Sequence, residues 1–462
     1  MANYPGALWW LRHNLQHGFA RGLMRCRVRG TVDAIGVTRT FVYNYLKSVM
    51  SIQFRSVSYA LIFLFGLSCL PLQRSSALAA SVDPSRQLAS AANNVPADPD
   101  SMLIEVYKLL AQNQLNAAQT LADRLVATYP TFRLGYLVQG DLLMMHNFPV
   151  TTFGAAKNAP PDRLKDLRDE ARARIKSLSE RPNPDLMPRA ILQLRDDQKH
   201  ALVVDARRSR LYVYENQGGH LRFVNDYYVT QGKLGVEKIK EGDQKTPLGV
   251  YYITSHLPGA KLSDFYGSGA LPINYPNEWD KVNGRSGSGI WLHGTPSDSY
   301  SRPPLDSDGC IVLTNPDLKK ISESIEIGKT PVVISEQAEF ISTSKWNEER
   351  EIAAKLIEDW RRDVESKSSK RWLANYSSTF KNAQGDSLSV WFEKQQLPFS
   401  GATDISIKLS DVTVFNYPGK GNMLVSTFTQ ETRYGKNRNV TRKRQYWAKE
   451  ANRWKIIFEG VI

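Results

Sequence analysis

Cysteine is what this sequence most clearly lacks. Three occur in 462 residues, at positions 26, 69 and 310. The first two lie in a segment laid out like a secretory signal. Arg55 is followed by an apolar run from Tyr59 to Leu72 and then by Ala77-Leu78-Ala79, an A-x-A cleavage pattern. Cleavage there removes Cys26 and Cys69, and a lone thiol forms no intramolecular disulfide. A disulfide-stapled fold is excluded, and Cys310 needs another explanation, because a single thiol is a liability in an oxidising compartment. A permanent anchor is disfavoured too. The apolar run covers 14 residues, against roughly 20 for a spanning helix. Membrane contact is expected only through an uncleaved signal segment.

Acidic residues are also in deficit: 46 Asp and Glu stand against 60 Lys and Arg, a formal charge of +14. Such an excess first suggests nucleic acid or an anionic surface. Its location argues otherwise. Residues 1–49 carry seven basic residues and one Asp, and residues 50–79 add Arg55 and Arg74. Without both segments the net charge is +6, an ordinary surface value, and no nucleic-acid partner is expected. Met50 stands where a signal peptide should begin. Residues 1–49 therefore read either as sequence upstream of the true start or as a cytoplasmic extension, and 50–79 as an exported protein's signal peptide.

The remainder divides by periodicity. Residues 80–100 are rich in Ala, Ser, Pro and Asn and read as a linker. Residues 101–180 place apolar side chains at i, i+3, i+4 spacing in two helix pairs, interrupted at Asn113 and Pro130. The pairs resemble tetratricopeptide repeats, though too few to stand alone; a small helical bundle packed on the next domain is the other reading. From about 190 to 337 the period falls to two, in many short runs such as "HALVVD", "RLYVYEN", "GVYYIT" and "TPVVIS", which predicts a mostly-β domain. Residues 345–462 open with a long amphipathic helix and a shorter one. Four strand-like runs follow, "SLSVWFEKQ" the first, suggesting an α+β cone. The expected fold class is multidomain: all-α, then mostly-β, then α+β.

The chemistry concentrates in "WLHGTPSDSYSRPPLDSDGCIVL", residues 291–313, where His293 precedes Cys310 by seventeen positions. Each stands beside an apolar strand run and a glycine. Two strand ends lying side by side would bring an imidazole to a thiol at one rim of a sheet. The loop "YSRPPL" would wall the cleft, and the backbone N–H groups of Gly309 and Cys310 could meet a developing oxyanion. A buried, inert cysteine and a structural histidine are the alternative. One Cys and one His do not make a metal site, and Asp298, Asp306 and Asp308 lack zinc spacing.

The combination of "HGT", "SDGCIVL" and the upstream "KTPLGVYYIT" and "YGSGALPINYPNEWD" resembles the YkuD-type L,D-transpeptidases over residues 198–336. The resemblance implies acyl transfer without metal or organic cofactor. Cys310 would be the nucleophile, His293 the base and Gly294 the carbonyl that orients the imidazole. Ser307, Asp308, Gly309 and Thr295 would line the oxyanion and substrate site. It implies peptidoglycan stem tetrapeptides as substrate, with an amine, a wall-attached protein or water as acyl acceptor. An L,D-carboxypeptidase or endopeptidase is thus an alternative, as is a non-catalytic envelope-binding protein. Many members have His where this chain has Asp308, and Arg at Val312, a pattern similar to the branch of murein-trimming and cell-shape enzymes. The C-terminal residues resemble the SnoaL-like, nuclear-transport-factor-like superfamily on their layout and on Trp360, Asp363, Tyr376 and Phe380.

Overall fold

In the computed structural model the described residues are 98–462, except 151, 156–159, 397–403 and 420. The signal segment, everything before it and nearly all of the linker lie outside them. Four helices come first: α1 (Pro99–Ala111), α2 (Leu115–Thr128), α3 (Arg133–Met145) and α4 (Pro161–Ser179). Asp98 caps α1 by accepting from the Ser101 N–H at 2.9 Å, satisfying a backbone donor the helix cannot use. Asn113, at φ +60°, turns the chain into α2. The apolar stripes meet in one cluster around Leu103, Val106, Leu121, Leu125 and Val138. Tyr300, from the loop between His293 and Cys310, packs against that cluster. The helical region is thus docked on the next domain through the very loop that separates the two candidate catalytic residues.

The central domain contains β1 (Met187–Pro188), β2 (Ile191–Gln193), β3 (His200–Asp205), β4 (Arg210–Gln217), β5 (His220–Tyr228), β6 (Gln231–Gly232), β7 (Gly249–Tyr252), β8 (Leu257–Pro258) and β9 (Gly269–Pro272). The short helix α5 (Glu278–Val282), β10 (Trp291–His293), β11 (Leu305–Ser307), β12 (Ile311–Val312), α6 (Asn315–Glu323), β13 (Pro331–Ser335) and β14 (Phe340–Ile341) follow. The main sheet has the order β5-β4-β3-β13-β7, with β3 parallel to β13. Its side chains alternate, as a period of two requires. Leu202, Val204, Leu211 and Ile334 enter the core under the site. Ala201, Val203, Tyr212 and Val333 face the C-terminal domain. Both faces are covered, which is why every residue of β13 is buried. A smaller sheet, ordered β12-β10-β9-β8, carries the site, and β6 pairs in parallel with β11.

The C-terminal domain comprises α7 (Thr343–Glu365), α8 (Ser369–Leu373), β15 (Tyr376–Asn382), α9 (Leu388–Gln396), β16 (Ile405–Asn416), β17 (Met423–Tyr434), β18 (Asn437–Glu450) and β19 (Arg453–Val461). Its sheet runs β15-β19-β18-β17-β16-β2. The edge strand β2 comes from the start of the central domain and pairs Ile191 with Phe415. Trp346, at the start of α7, donates its indole N–H to the Ile191 carbonyl at 2.7 Å. The two domains therefore share a sheet edge and a core.

Two expectations for this domain are corrected. "SLSVWFEKQ" is helix α9 rather than a strand, because Leu388, Trp391 and Phe392 share one helical face and two of them are buried in the core. The strand is the preceding "YSSTFKN", and the last run folds as two strands, turning at Ala451 and Asn452, both with positive φ. The basic run Arg433–Arg444 is a hairpin whose charges are largely matched within the protein. Arg433 and Arg438 pair with Glu431, and Lys443 with Glu459. Arg444 is buried and reaches Glu278 of α5 at 2.6 Å. Beside it Trp279 stacks on Tyr446 at 4.8 Å and 16°. Among the aromatics of this domain, Trp391 lines a cavity of about 460 Å³, while Trp360 and Tyr376 are packed in the core. Among the described residues, no helix is long and apolar enough to cross a membrane.

Candidate active site

The strands β10 and β12 lie side by side and parallel, with Leu292 opposite Ile311 and His293 opposite Val312. Counting back two residues from Val312, Cys310 falls on the same face as His293, one diagonal step away. The seventeen-residue separation thus spans a crossover, since parallel neighbours need a connection of about a dozen residues or more. In place of the usual crossover helix, the chain makes an irregular loop braced from outside. Tyr300 packs edge-on to Tyr129 and Phe132 at 5.2 and 5.4 Å. Its N–H donates to the Thr131 carbonyl, and the Ser301 hydroxyl donates to buried Glu170 at 2.6 Å.

His293 is 1 % exposed. Its Nδ1 lies 2.7 Å from the Gly294 carbonyl oxygen. A carbonyl only accepts, so Nδ1 carries the proton and Nε2 is the free base. Burial drives the imidazole down to about 4; the Gly294 bond opposes this and Arg302 adds to it. Gly294 has to be glycine: a Cβ there would overlap Asn315 Oδ1 and crowd the Ser268 N and Tyr266 O atoms. Asn315 holds this corner from the other side, accepting from the Ser268 N–H and donating to the Thr295 carbonyl, both at 2.8 Å.

Cys310 is partly exposed and its thiol points to the Gly289 carbonyl at 3.4 Å. Burial pushes the thiol up, the Trp291 backbone N–H pulls it down, and Asp308 raises it again. Both shifts favour the neutral forms, a thiol beside an imidazole rather than an ion pair. Gly309 sits at φ +126°, and a Cβ would come 2.7 Å from the Lys245 carbonyl, so only glycine lets the turn pass under that segment. The quoted "KTPLG" motif supplies the support. Thr246, fully buried, accepts from the Gly232 N–H at 2.9 Å and donates to the Gly309 carbonyl at 3.0 Å.

The remaining expected site residues fall in different places. Ser307 donates to the Cys310 carbonyl at 2.6 Å and accepts from the Gly309 N–H at 3.2 Å, so it braces the turn. Thr295 is buried and its hydroxyl faces the Tyr300 carbonyl at 3.3 Å. Asp308 is exposed beside Cys310, held by Lys233 at 3.3 Å and Gln244 at 3.1 Å. Sequence reasoning missed Phe265 and Tyr266, whose rings lie 5.6 and 5.1 Å from the His293 ring. It also missed Arg302, whose guanidinium lies 4.6 Å over Phe265. The "YSRPPL" loop had been read only as a wall.

Residues 199–334 match the YkuD family, the L,D-transpeptidase catalytic domain, and residues 352–460 match the Cds6 C-terminal NTF2-like domain. Among solved structures, Bdellovibrio bacteriovorus Bd1075 is 28 % identical with a TM-score of 0.53, over 60 % of this chain and 98 % of that one. The helical cell shape determining protein Pgp2 from Campylobacter jejuni is 25 % identical with a TM-score of 0.51, over 62 % of this chain and 98 % of that one. No curated protein matches the chain.

Proposed function

We propose that this protein, whose central domain is a YkuD L,D-transpeptidase catalytic domain and whose C-terminal domain is NTF2-like, is an exported cysteine acyltransferase of peptidoglycan that acts in cell shape. The observation that carries the reading is the His293 Nδ1 to Gly294 carbonyl bond at 2.7 Å beside the Cys310 strand. It leaves Nε2 as the base for a thiol on the same sheet face. The family acts on the cell envelope polymer, which supports the peptidoglycan partner. The signal pattern at 50–79 supports export independently.

In this reading Nε2 takes the Cys310 proton as the sulfur attacks the carbonyl of the third residue of a stem tetrapeptide. The imidazolium then protonates the departing D-amino acid, leaving a thioester on Cys310. A neutral starting pair suits this step, because proton and nucleophile move together and no resting thiolate is exposed to oxidation. The developing oxyanion would draw on backbone donors of the Gly309–Cys310 turn. The Gly309 N–H bond to Ser307, at 3.2 Å, is long enough to yield. The thioester passes to an amine, giving a cross-link or an attached protein, or to water, giving trimming.

Purified tetrapeptide muropeptides incubated with the protein decide between these. Dimers are expected for transpeptidation; tripeptide monomers alone would assign the hydrolytic reading. Products unchanged by Cys310→Ala would refute catalysis at this site and favour a binding role.

A further inference from the structure

Arg302 is a cation at this site that the catalytic cycle above does not use. Its backbone is fixed from three sides. The Tyr228 hydroxyl donates to its carbonyl at 2.9 Å, and Thr230 Oγ1 lies 3.0 Å from the same oxygen and 2.8 Å from the Pro303 carbonyl. The Gln231 N–H holds the Pro304 carbonyl at 2.9 Å. Tyr228 itself is clamped beneath Arg174 of the helical region, 4.0 Å from ring to guanidinium. The loop is therefore anchored to the helical core through Tyr300 and to the end of β5 and the start of β6 through these hydrogen bonds.

The side chain is treated differently from its neighbours. Lys233 pairs with Asp308, Lys238 with Asp243, and Arg133 approaches Asp298. Asp264 takes Ser297. Arg302 has no ion pair or side-chain hydrogen bond among the described residues; it sits over the ring of Phe265, which is 48 % exposed. Asp306 lies within its electrostatic reach, yet no ion pair forms between them. The field of Arg302 is felt by both His293 and Cys310. A guanidinium held on an aromatic face with its fork of donors unused matches a carboxylate.

We infer that Arg302, seated on Phe265 beside His293, is the residue that binds a carboxylate of the substrate peptide and sets specificity for it. The inference rests on the acyl-transfer reading, and the chemistry of that reaction locates the ligand. The departing amine must receive its proton from His293, and its own α-carboxylate is two bonds from that nitrogen. A cation holding that carboxylate must therefore lie on the His293 side of the reacting carbon, and the ring contacts from Arg302 through Phe265 to His293 run there. A second source of the same chemistry is a carboxylate on the side chain of residue three.

The test compares three synthetic tetrapeptides on the full protein: the free acid, the terminal carboxamide, and one with the side-chain carboxylate of residue three amidated. Wild type and Arg302→Gln are assayed for turnover. In the Cys310→Ala background, with and without Arg302→Gln, binding is read by calorimetry. Arg302→Gln should lower kcat/KM for the free acid by ~10- to 100-fold, the usual worth of a charge-assisted bond. For the peptide whose bound carboxylate is already amidated it should change little, and which amide behaves so identifies the source. Arg302→Lys should recover part of the loss. An equal loss on all three peptides, or none, would overturn the inference while leaving acyl transfer standing. If no peptide is turned over, yet Cys310→Ala binds the free acid more tightly in an Arg302-dependent way, the carboxylate site stands and the acyl-transfer reading fails. Absence of both turnover and binding overturns both.

Discussion

The resting charge state of the Cys310–His293 pair is the most exposed consequence of the geometry. An ordinary thiol ionises near 9.0, and burial moves that of Cys310 upward. At pH 7 the thiol is then the favoured form, whereas cysteines paired with an imidazolium ionise at roughly 3.5–7.5. A pair with its thiol below pH 7 would be more than half ionised there, about 50-fold more than an ordinary thiol that ionises near 9.0. Iodoacetamide reads this directly. The alkylation rate of the Cys310 peptide, followed by mass spectrometry from pH 5 to 10.5, should rise through the alkaline range with no plateau near neutrality. His293→Gln should leave that profile in place, because the neutral imidazole does not stabilise a thiolate, while abolishing turnover, because the base is gone. A midpoint below pH 7 in the wild type, lost in His293→Gln, would refute the neutral pair and the proton-coupled attack built on it.

Further consequences follow from named contacts. His293 ionises near 6.5 when unfolded and about 4 when folded, so its stabilisation is present above pH 6.5 and is lost as pH falls through 4. It amounts to about 3 kcal/mol across that window, and the acid limb of a chemical-denaturation series should flatten correspondingly in His293→Gln. Thr246→Val strands the buried Gly232 N–H and removes the donor to the Gly309 carbonyl. A loss of about 1–3 kcal/mol per stranded group is expected, with kcat falling more than KM changes. Gly294→Ala forces a methyl group onto Asn315 and should cost about 1–3 kcal/mol, together with most of the activity, as thermal melts and muropeptide turnover would record. Trp279→Ala removes the stack on Tyr446 and the edge contact with Phe458 and should speed proteolytic separation of the C-terminal domain while Cys310 alkylation is unchanged.

Much of this protein is written locally. The helix pairs of residues 99–179 show in i, i+3, i+4 spacing because each helix buries one face, and the strands from 200 to 217 show as short, nearly continuous apolar runs because their sheet is covered on both faces. The His-Gly and Gly-Cys elements are legible because a turn without room for a Cβ admits only glycine, as Gly294 and Gly309 show. "SLSVWFEKQ" misled because a short apolar segment with alternating serines satisfies both periods, and only its packing against Trp372 selects the helix.

Residue types and their spacing by themselves determined most of the elements, the lone Cys310 and its partner His293. Tertiary structure alone decided that these two share a sheet face, that Thr246 props the cysteine turn, that β2 closes the sheet of a domain beginning some 150 residues later, and that Arg302 is presented rather than paired. The reason is physical: spacing encodes which face of an element is apolar, whereas a buried hydrogen bond or an unspent guanidinium depends on partners brought together from distant segments by the packing of three cores.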